Sequence, residues 1–334
     1  MAAKFTGIAV LSAAVLLAAP QPMAAQPADS GDNFFTLWEK PDVPQPDRTL
    51  NLYPKGQDVD MGIIENGRAV TLGPGESNGL KGDEKVARDG WIFNINDNAR
   101  INIYLPENPN GQMVVITPGG GYGFVSSWNE GEYVANWLNK LGIAACTVYY
   151  RLPNTHYRVP LTDVQNAFRY CRAHAAEWGV DQIGVMGFSA GGHLAAYTSN
   201  CFVDAVTRPD FSILVYPVIT LEPGLTHEGT RLGLVGEDLE LADYYSMENR
   251  VTANTPPTLL LLSADDDTVP TISSTRYFQK LVENKVPANV HIFPAGGHGY
   301  GFTTSDLVND NLGRYRDLFF SCLRSFLDDM KTQK

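Results

Sequence analysis

Cysteine is scarce in this chain, and its four cysteines form no Cys-x-x-Cys pair. No cluster of Cys and His has the spacing of zinc ligands, which argues against a structural metal site. An even number of cysteines permits disulfide bonds in an exported protein. However, Cys146 lies in an apolar strand-like run and Cys171 in a helical pattern. We therefore expect buried free thiols at Cys146, Cys171, Cys201 and Cys322.

Basic residues are also few, since 25 Lys and Arg stand against 37 Asp and Glu, for a formal net charge of −12. An acidic protein of this kind repels polyphosphate chains, which argues against nucleic acid as a partner. The Gly-Lys-Ser/Thr signature of a phosphate-binding loop is absent as well. The hydrophobic share of 44% and the charged share of 19% are those of an ordinary globular protein.

Long apolar runs are absent except near the N-terminus, where residues 8–19 follow the positive Lys4. This run ends at Pro20 and is shorter than the roughly 20 residues that span a bilayer. Small residues follow it, so residues 1–25 are predicted to be a bacterial signal peptide rather than a retained membrane anchor. No Cys near the cleavage site offers an attachment point for a lipid. We expect a secreted or periplasmic protein with no membrane attachment after cleavage.

The remaining sequence has no internal repeat and divides into an irregular part and a regular part. Residues 26–90, rich in Pro, Asp, Gln and Gly, are predicted to be an irregular leader that packs on a domain formed by residues 91–334. Residues 91–96 and 100–105 alternate apolar and polar side chains around a turn, which predicts a hairpin. The polar, irregular segment 221–252 is expected to form a small cap.

Within residues 91–334, short apolar runs alternate with helical patterns. Continuous apolar runs are what strands buried on both faces require, so the alternation predicts a mainly parallel sheet covered by helices. The strand-like runs are 113–117, 144–150, 183–186, 212–216, 258–263 and 290–293. The helical patterns are 130–141, 161–178, 190–201, 272–285 and 307–330.

One strand-like run leads directly into Gly187-Phe188-Ser189-Ala190-Gly191-Gly192, which a helical pattern follows. This is the context of a nucleophile elbow, in which a tight strand-to-helix turn presents a serine at a helix N-terminus. The flanking glycines provide the room that such a turn needs. The alternative is a glycine-rich turn with an incidental serine. The strand before and the helix after favour Ser189 as the nucleophile.

Pro118-Gly119-Gly120-Gly121-Tyr122-Gly123 follows another strand-like run. Consecutive glycines let backbone amides approach a substrate oxygen, so we expect Gly120, Gly121 and Ala190 to donate to an oxyanion. A dinucleotide-binding loop would need Gly-x-Gly-x-x-Gly and an immediate helix, and both are missing. An ordinary glycine-rich loop remains the alternative.

The general base is expected in a loop beyond a strand, where it can reach the nucleophile. His298 meets this condition, since it lies in Gly296-Gly297-His298-Gly299-Tyr300-Gly301. The acid is expected between the serine and the histidine in sequence. Asp265-Asp266-Asp267 follows the run 258–263, and physical reasoning does not choose among the three; a solvated acidic turn is the alternative. His193 falls within a helix and is expected to have a structural role.

These motifs resemble those of bacterial carbohydrate esterases of the α/β-hydrolase fold, the acetyl-xylan and feruloyl esterases. The matching segments are Pro-Gly-Gly-Gly-Tyr at 118–122, Tyr-Arg-Leu-Pro at 150–153, Gly-Phe-Ser-Ala-Gly-Gly-His at 187–193 and Gly-Gly-His-Gly-Tyr at 296–300. The match of residues 266–270 to an Asp-x-x-Val-Pro loop selects Asp266. Pro118 departs from the His found there in the hormone-sensitive-lipase branch, which makes that lipid-acting branch a poorer match.

The resemblance implies an α/β-hydrolase fold with a mainly parallel sheet of about eight strands, helices on both faces and a small cap. It also implies a serine carboxylesterase that removes acetyl or feruloyl groups from plant polysaccharide such as xylan, with no metal or organic cofactor. Tyr122, Trp128 and Tyr300 are the aromatic residues expected to stack on the sugar. The sequence does not identify the acyl group, the sugar or the oligomeric state.

Two other functions share these features. An exported serine peptidase of the prolyl-oligopeptidase type has the same triad, but usually carries a propeller domain, and no repeat in this sequence builds one. A non-catalytic binding protein on the same fold would have a broken triad, whereas Ser189, Asp266 and His298 are all present.

Overall fold

The central sheet is built from short runs of apolar residues, many of them β-branched, that are buried on both faces. In the computed structural model, the six residues from Gln112 to Thr117 are all buried, as are the six from Thr258 to Ser263. Strands of this kind must be covered by helices on both sides of the sheet. The structure describes residues 43–53, 64–65, 68–69, 78–87, 90–96, 99–304, 307–308 and 310–332. The predicted signal peptide, residues 1–25, lies outside these ranges.

The strands are β1 (Arg48–Asn51), β2 (Ile64–Glu65), β3 (Arg68–Ala69), β4 (Lys85–Val86), β5 (Trp91–Phe93), β6 (Arg100–Tyr104), β7 (Gln112–Thr117), β8 (Val125–Ser126), β9 (Ala144–Tyr149), β10 (Gln182–Phe188), β11 (Ser212–Val215), β12 (Thr258–Ser263), β13 (Ala288–Phe293), β14 (Phe302–Thr304) and β15 (Leu307–Val308). The α-helices are α1 (Tyr133–Lys140), α2 (Val159–His174), α3 (Ser189–Asn200), α4 (Glu228–Val235), α5 (Leu239–Tyr244), α6 (Thr271–Glu283) and α7 (Arg316–Thr332). A π-helix spans Trp128–Glu132, and 3-10 helices span Met247–Arg250 and Asp310–Tyr315.

Eight strands form the main sheet, in the order β1-β6-β9-β7-β10-β11-β12-β13. The pairs from β9 through β13 are parallel, whereas β6 pairs antiparallel with both β1 and β9. The expected sheet of about eight mainly parallel strands is therefore confirmed. Because the strands from β7 to β13 run in one direction, the loops that follow their carboxyl ends lie along one edge of the sheet.

Helices cover both faces of this sheet. Along β7, Met113 and Val115 pack into one core with residues of α2, α3 and α6. The alternate residues Val114 and Ile116 pack into a second core with residues of α1 and α7. This two-residue alternation is what a strand presents to two opposite layers. Among the described residues, no helix is long and apolar enough to cross a membrane.

Three local predictions were wrong. Residues 91–96 and 100–105 do not form a hairpin with each other. Instead β5 pairs with β4 and β8, because Asn94 leaves the strand at a φ of 59°, while β6 lies inside the main sheet. The last helix begins at Arg316 rather than at residue 307, since Gly313 interrupts the preceding 3-10 turns with a φ of 49°. The leader 26–90 is not wholly irregular, because β1 within it is an edge strand of the main sheet.

Segment 221–252, expected to be an irregular cap, contains α4, α5 and a 3-10 helix. Two side chains start its α-helices by satisfying free backbone amides. His227 accepts a hydrogen bond from the amide of Thr230, and Asp238 accepts from the amides of Glu240 and Leu241. Capping fixes His227 at the first turn of α4. The four cysteines are free thiols; Cys146, Cys171 and Cys322 are buried as expected, whereas Cys201 is half-buried.

Candidate active site

Ser189 occupies a strained turn at the junction of β10 and α3. Its φ of 52° lies in the left-handed region, which costs a non-glycine residue on the order of 1–3 kcal/mol. Its neighbours leave no room for side chains: a Cβ on Gly187 would overlap the carbonyl oxygen of Gly191, and one on Gly191 would overlap that of Thr117. This tight strand-to-helix turn presents the serine hydroxyl at the start of α3, where a substrate can reach it, as a nucleophile elbow requires.

His298 and Asp266 complete a hydrogen-bonded line with this serine. The Nε2 atom of His298 lies 2.8 Å from the Oγ atom of Ser189, and its Nδ1 atom lies 2.8 Å from Oδ2 of Asp266. The residues come from the loops that follow β10, β12 and β13, at one edge of the sheet. The structure thus brings together all three side chains of the expected triad.

The three consecutive aspartates have different contacts. Asp266 also accepts hydrogen bonds from the amides of Thr268 and Val269 through its Oδ1 atom, which leaves Oδ2 for the imidazole. Asp265 accepts from the amide of Gly297, at 2.8 Å, and so holds the loop that carries the histidine. Asp267 contacts only the hydroxyl of Thr268 among the described residues, and that contact is exposed. The geometry therefore gives the acid role to Asp266, the residue that the resemblance to an Asp-x-x-Val-Pro loop selects and that physical reasoning alone left open.

The glycine loop after β7 lies beside the serine. Gly120 and Gly121 line the same cavity of about 300 Å³ as Ser189 and His298. Both glycines have positive φ values, of 130° and 61°, and a Cβ on Gly120 would overlap the carbonyl of Phe124. Position 120 therefore requires glycine, and a Cβ on Gly121 would lie 3.1 Å from the imidazole of His227. Ala190, the third expected donor, is buried in the first turn of α3, where backbone amides have no helical partner.

Two side chains hold this loop from behind. The hydroxyl of Tyr150 donates to the carbonyl oxygen of Pro118 at 2.7 Å, and the Oε2 atom of Glu130 accepts from the amide of Gly119 at 2.7 Å. Burial raises the pKa of Glu130, and the hydroxyl of Tyr216 and the amide of Gly119 oppose that rise. Sequence reasoning missed Glu130. The available signal was an acid three residues before the start of α1.

The three aromatic residues expected to stack on a sugar do not line the cavity. Tyr122 is buried, and its hydroxyl lies 2.9 Å from Nδ1 of His193. Tyr300 is fully buried and donates to the carbonyl of Leu261. Trp128 is half-buried and packs against the core under α1 and α7. The prediction was wrong because an aromatic residue beside a catalytic loop can face the core as well as the cavity.

Other side chains form the cavity wall. It includes the aromatic rings of Trp91 and Phe124 and the imidazole of His227 from the cap. Burial lowers the pKa of His227, and the neighbouring His298 lowers it further. His193 has the structural role expected for it. Burial lowers its pKa to about 4, and its Nε2 donates to the carbonyl of Tyr245.

Among the described residues, no group of three or more His, Cys, Asp and Glu has an arrangement that would hold a metal ion.

Comparison with known proteins agrees with the geometry of the site. Residues 101–205, which include Gly120 and Ser189, match the BD-FAE family. The solved structure of an acetyl ester-xyloside bifunctional hydrolase from Caldicellulosiruptor lactoaceticus superposes with a TM-score of 0.66 and 28% identity, covering 86% of this chain and 98% of that one. The chain has the α/β-hydrolase fold.

Curated relatives of this α/β hydrolase include enzymes named for xylan. It is 37% identical over 232 residues to an acetylxylan esterase of Xylanibacter ruminicola, covering 66% of this chain and 48% of that protein. It is 35% identical over 205 residues to endo-1,4-beta-xylanase B of Butyrivibrio fibrisolvens, covering 56% and 32% respectively. The chain thus spans about half or less of the length of these relatives. Over the matched segments its sequence resembles those of these two enzymes.

The different contacts of the three aspartates predict different losses of activity. Asp266→Asn removes the acceptor that fixes the tautomer of His298, so kcat on 4-nitrophenyl acetate should fall about 10⁴-fold. Asp265→Asn weakens one contact to the histidine loop and should cost about tenfold. Asp267→Asn should change kcat less than about twofold, because its contact is exposed. A larger loss for Asp265→Asn than for Asp266→Asn would contradict this assignment.

Proposed function

We propose that this α/β hydrolase is a secreted serine carboxylesterase that removes acetyl, or feruloyl, groups from plant polysaccharide such as xylan. The observation that carries the proposal is the hydrogen-bonded line from Ser189 through His298 to Asp266, which opens onto the same cavity as Gly120 and Gly121. The xylan-related names of the relatives support a carbohydrate ester as substrate. The signal peptide expected at residues 1–25 would bring the enzyme to an extracellular polymer.

Acylation begins when Nε2 of His298 accepts the proton of the Ser189 hydroxyl while the serine oxygen attacks the ester carbonyl. The carbonyl oxygen becomes an oxyanion, which the amides of Gly120, Gly121 and Ala190 stabilise. Asp266 accepts a hydrogen bond from the Nδ1–H of His298 and stabilises the imidazolium with its negative charge, without becoming protonated itself. The imidazolium then donates its Nε2 proton to the ester oxygen of the sugar as the bond from that oxygen to the acyl carbon breaks, so the sugar leaves with a free hydroxyl and the acyl group stays on the serine.

Deacylation repeats these steps with water in place of the serine. His298 takes a proton from a water molecule that attacks the acyl-enzyme, and the same backbone amides hold the second oxyanion. The proton returns to Ser189 as the carboxylic acid leaves. Every proton in the cycle passes through His298, and the steps need neither a metal nor an organic cofactor.

Release of acetate and ferulate from acetylated and feruloylated xylan tests the proposal. The wild type should release acetate or ferulate, and Ser189→Ala should lower the rate about 10⁴-fold or more, because no nucleophile remains to form the acyl-enzyme. Thermal melting of both proteins controls for folding. Hydrolysis of short peptides without acid release from xylan would support a serine peptidase instead. Inactivity on every ester and peptide would support a non-catalytic binding protein.

A further inference from the structure

Two aromatic rings form one wall of the active-site cavity. The rings of Trp91 and Phe124 stack with their centroids 4.5 Å apart and an angle of 24° between their planes. Both line the cavity together with Ser189 and His298. Trp91 is 38% exposed, so part of this ring surface faces solvent. We call Trp91 and Phe124 the aromatic wall.

The fold fixes the position of this wall relative to the glycine loop. Phe124 donates its amide to the carbonyl of Gly120, at 3.1 Å. Trp91 pairs with Ser126 where β5 meets β8, and Phe93 packs on the ring of Phe124 with 5.2 Å between centroids. A stacked pair of aromatic rings is therefore held next to the residues expected to bind the oxyanion.

We propose that the aromatic wall binds the sugar ring that carries the ester. This inference rests on the proposed function. A pyranose presents apolar C–H groups on its faces, which pack favourably on an aromatic ring, whereas an acetyl group is too small to cover such a surface. Because Trp91 is partly exposed, the aromatic wall is open to solvent at one side. A sugar ring within a longer polysaccharide needs such an opening, so that the neighbouring sugars can extend out of the cavity.

The test compares two acetyl esters that differ in their alcohol. Trp91→Ala should raise KM for acetylated xylo-oligosaccharides about tenfold and leave kcat/KM for ethyl acetate unchanged within about twofold, because ethanol has no ring to stack. Tyr244→Ala removes an aromatic side chain that is also exposed but lies outside this cavity. It should leave KM and kcat/KM for both acetyl esters unchanged. Acid release is followed by pH-stat titration.

Each other outcome is informative. An equal loss on both acetyl esters would mean that Trp91 supports the glycine loop and binds no sugar. Ethyl ferulate is assayed as a third substrate, and a loss of activity confined to it would mean that the wall holds the acyl ring. Either result overturns the inference. Wild-type enzyme that hydrolyses ethyl acetate but not the acetylated oligosaccharide would instead overturn the proposed function.

A second inference concerns Glu130, whose carboxylate is buried between two parts of the site. Its Oε2 atom accepts from the amide of Gly119 at 2.7 Å, and its Oε1 atom accepts from the hydroxyl of Tyr216 at 2.8 Å. The ring of Tyr216 packs edge-on against the imidazole of His298, with centroids 4.9 Å apart. Glu130 therefore contacts the glycine loop directly and reaches the histidine through one aromatic ring.

The groups around Glu130 make its charge relevant to the reaction. The phenols of Tyr150 and Tyr216 are nearby and neutral, since burial raises their pKa values and the charge of Glu130 raises them further. His298 is the neighbour whose positive charge stabilises the carboxylate. The imidazole itself faces Asp266 on one side, with His227 also near.

We infer that Glu130 is a positioning residue with two separable effects. Through Gly119 it sets the position of the loop expected to bind the oxyanion, which depends on the reach of its side chain. Its negative charge stabilises the imidazolium that forms when His298 takes the serine proton. Because charge and reach are different properties, two conservative substitutions separate them.

Glu130→Gln keeps the reach and removes the charge. The acid limb of its kcat/KM profile on ethyl acetate should move to lower pH by about half a unit or more, because the imidazolium loses a favourable neighbour. Glu130→Asp keeps the charge and shortens the reach. It should lower kcat about tenfold while the acid limb stays in place.

Tyr150→Phe is the matched control, since it removes another hydroxyl behind the glycine loop, the one bonded to the carbonyl of Pro118, and leaves both hydrogen bonds of Glu130 in place. Its acid limb should stay within about 0.2 pH units of the wild type. Melting temperatures check folding. An acid limb that does not move in Glu130→Gln, or one that moves equally in Glu130→Asp, would overturn the inference. Glu130→Gln tests the effect of the negative charge, and Glu130→Asp tests the effect of side-chain length.

Discussion

The strained backbone of Ser189 is the constraint on which the rest of the site depends. Its φ of 52° is held because β10 enters the turn from inside the sheet and α3 leaves it at once, with Gly187 and Gly191 packed against neighbouring backbone. A strained residue persists only where its surroundings fix it, and here two layers of core do so. With the serine fixed, a histidine in hydrogen-bond contact must come from a loop at the same edge of the sheet.

The parallel sheet supplies that loop and the others. The carboxyl ends of β7, β10, β12 and β13 lead to the glycine loop, the serine, the acid and the histidine respectively. Open α/β sheets bind ligands at this edge for the same geometric reason. Between these loops, side chains fix the fine geometry: Asp265 holds the amide of Gly297, and Tyr150 holds the carbonyl of Pro118. The reacting groups thus need little rearrangement to meet a substrate.

What the sequence predicted well depended on local patterns. Glycines around Ser189 and His298 predict tight turns, and apolar runs predict buried strands. The main sheet and the triad of Ser189, His298 and Asp266 could therefore be predicted from short segments of sequence. What it missed depended on contacts between distant segments. Glu130 forms hydrogen bonds to residues 11 and 86 positions away, and the sequence around Glu130 indicates neither contact.

The aromatic residues of the site were misassigned for a related reason. Trp91 was assigned to a hairpin, and only its actual pairing with β8 brings it beside Phe124. Tyr122 and Tyr300 were misassigned because residue type does not give side-chain direction.

The central claim is that Ser189 is the nucleophile and that His298 activates it. Labelling with a fluorophosphonate, followed by intact-mass and peptide mass spectrometry, measures both at once. The account predicts a single adduct on Ser189 in the wild type, and labelling that is at least about a hundredfold slower in His298→Ala. An adduct on another residue, or an equal labelling rate in His298→Ala, would contradict it.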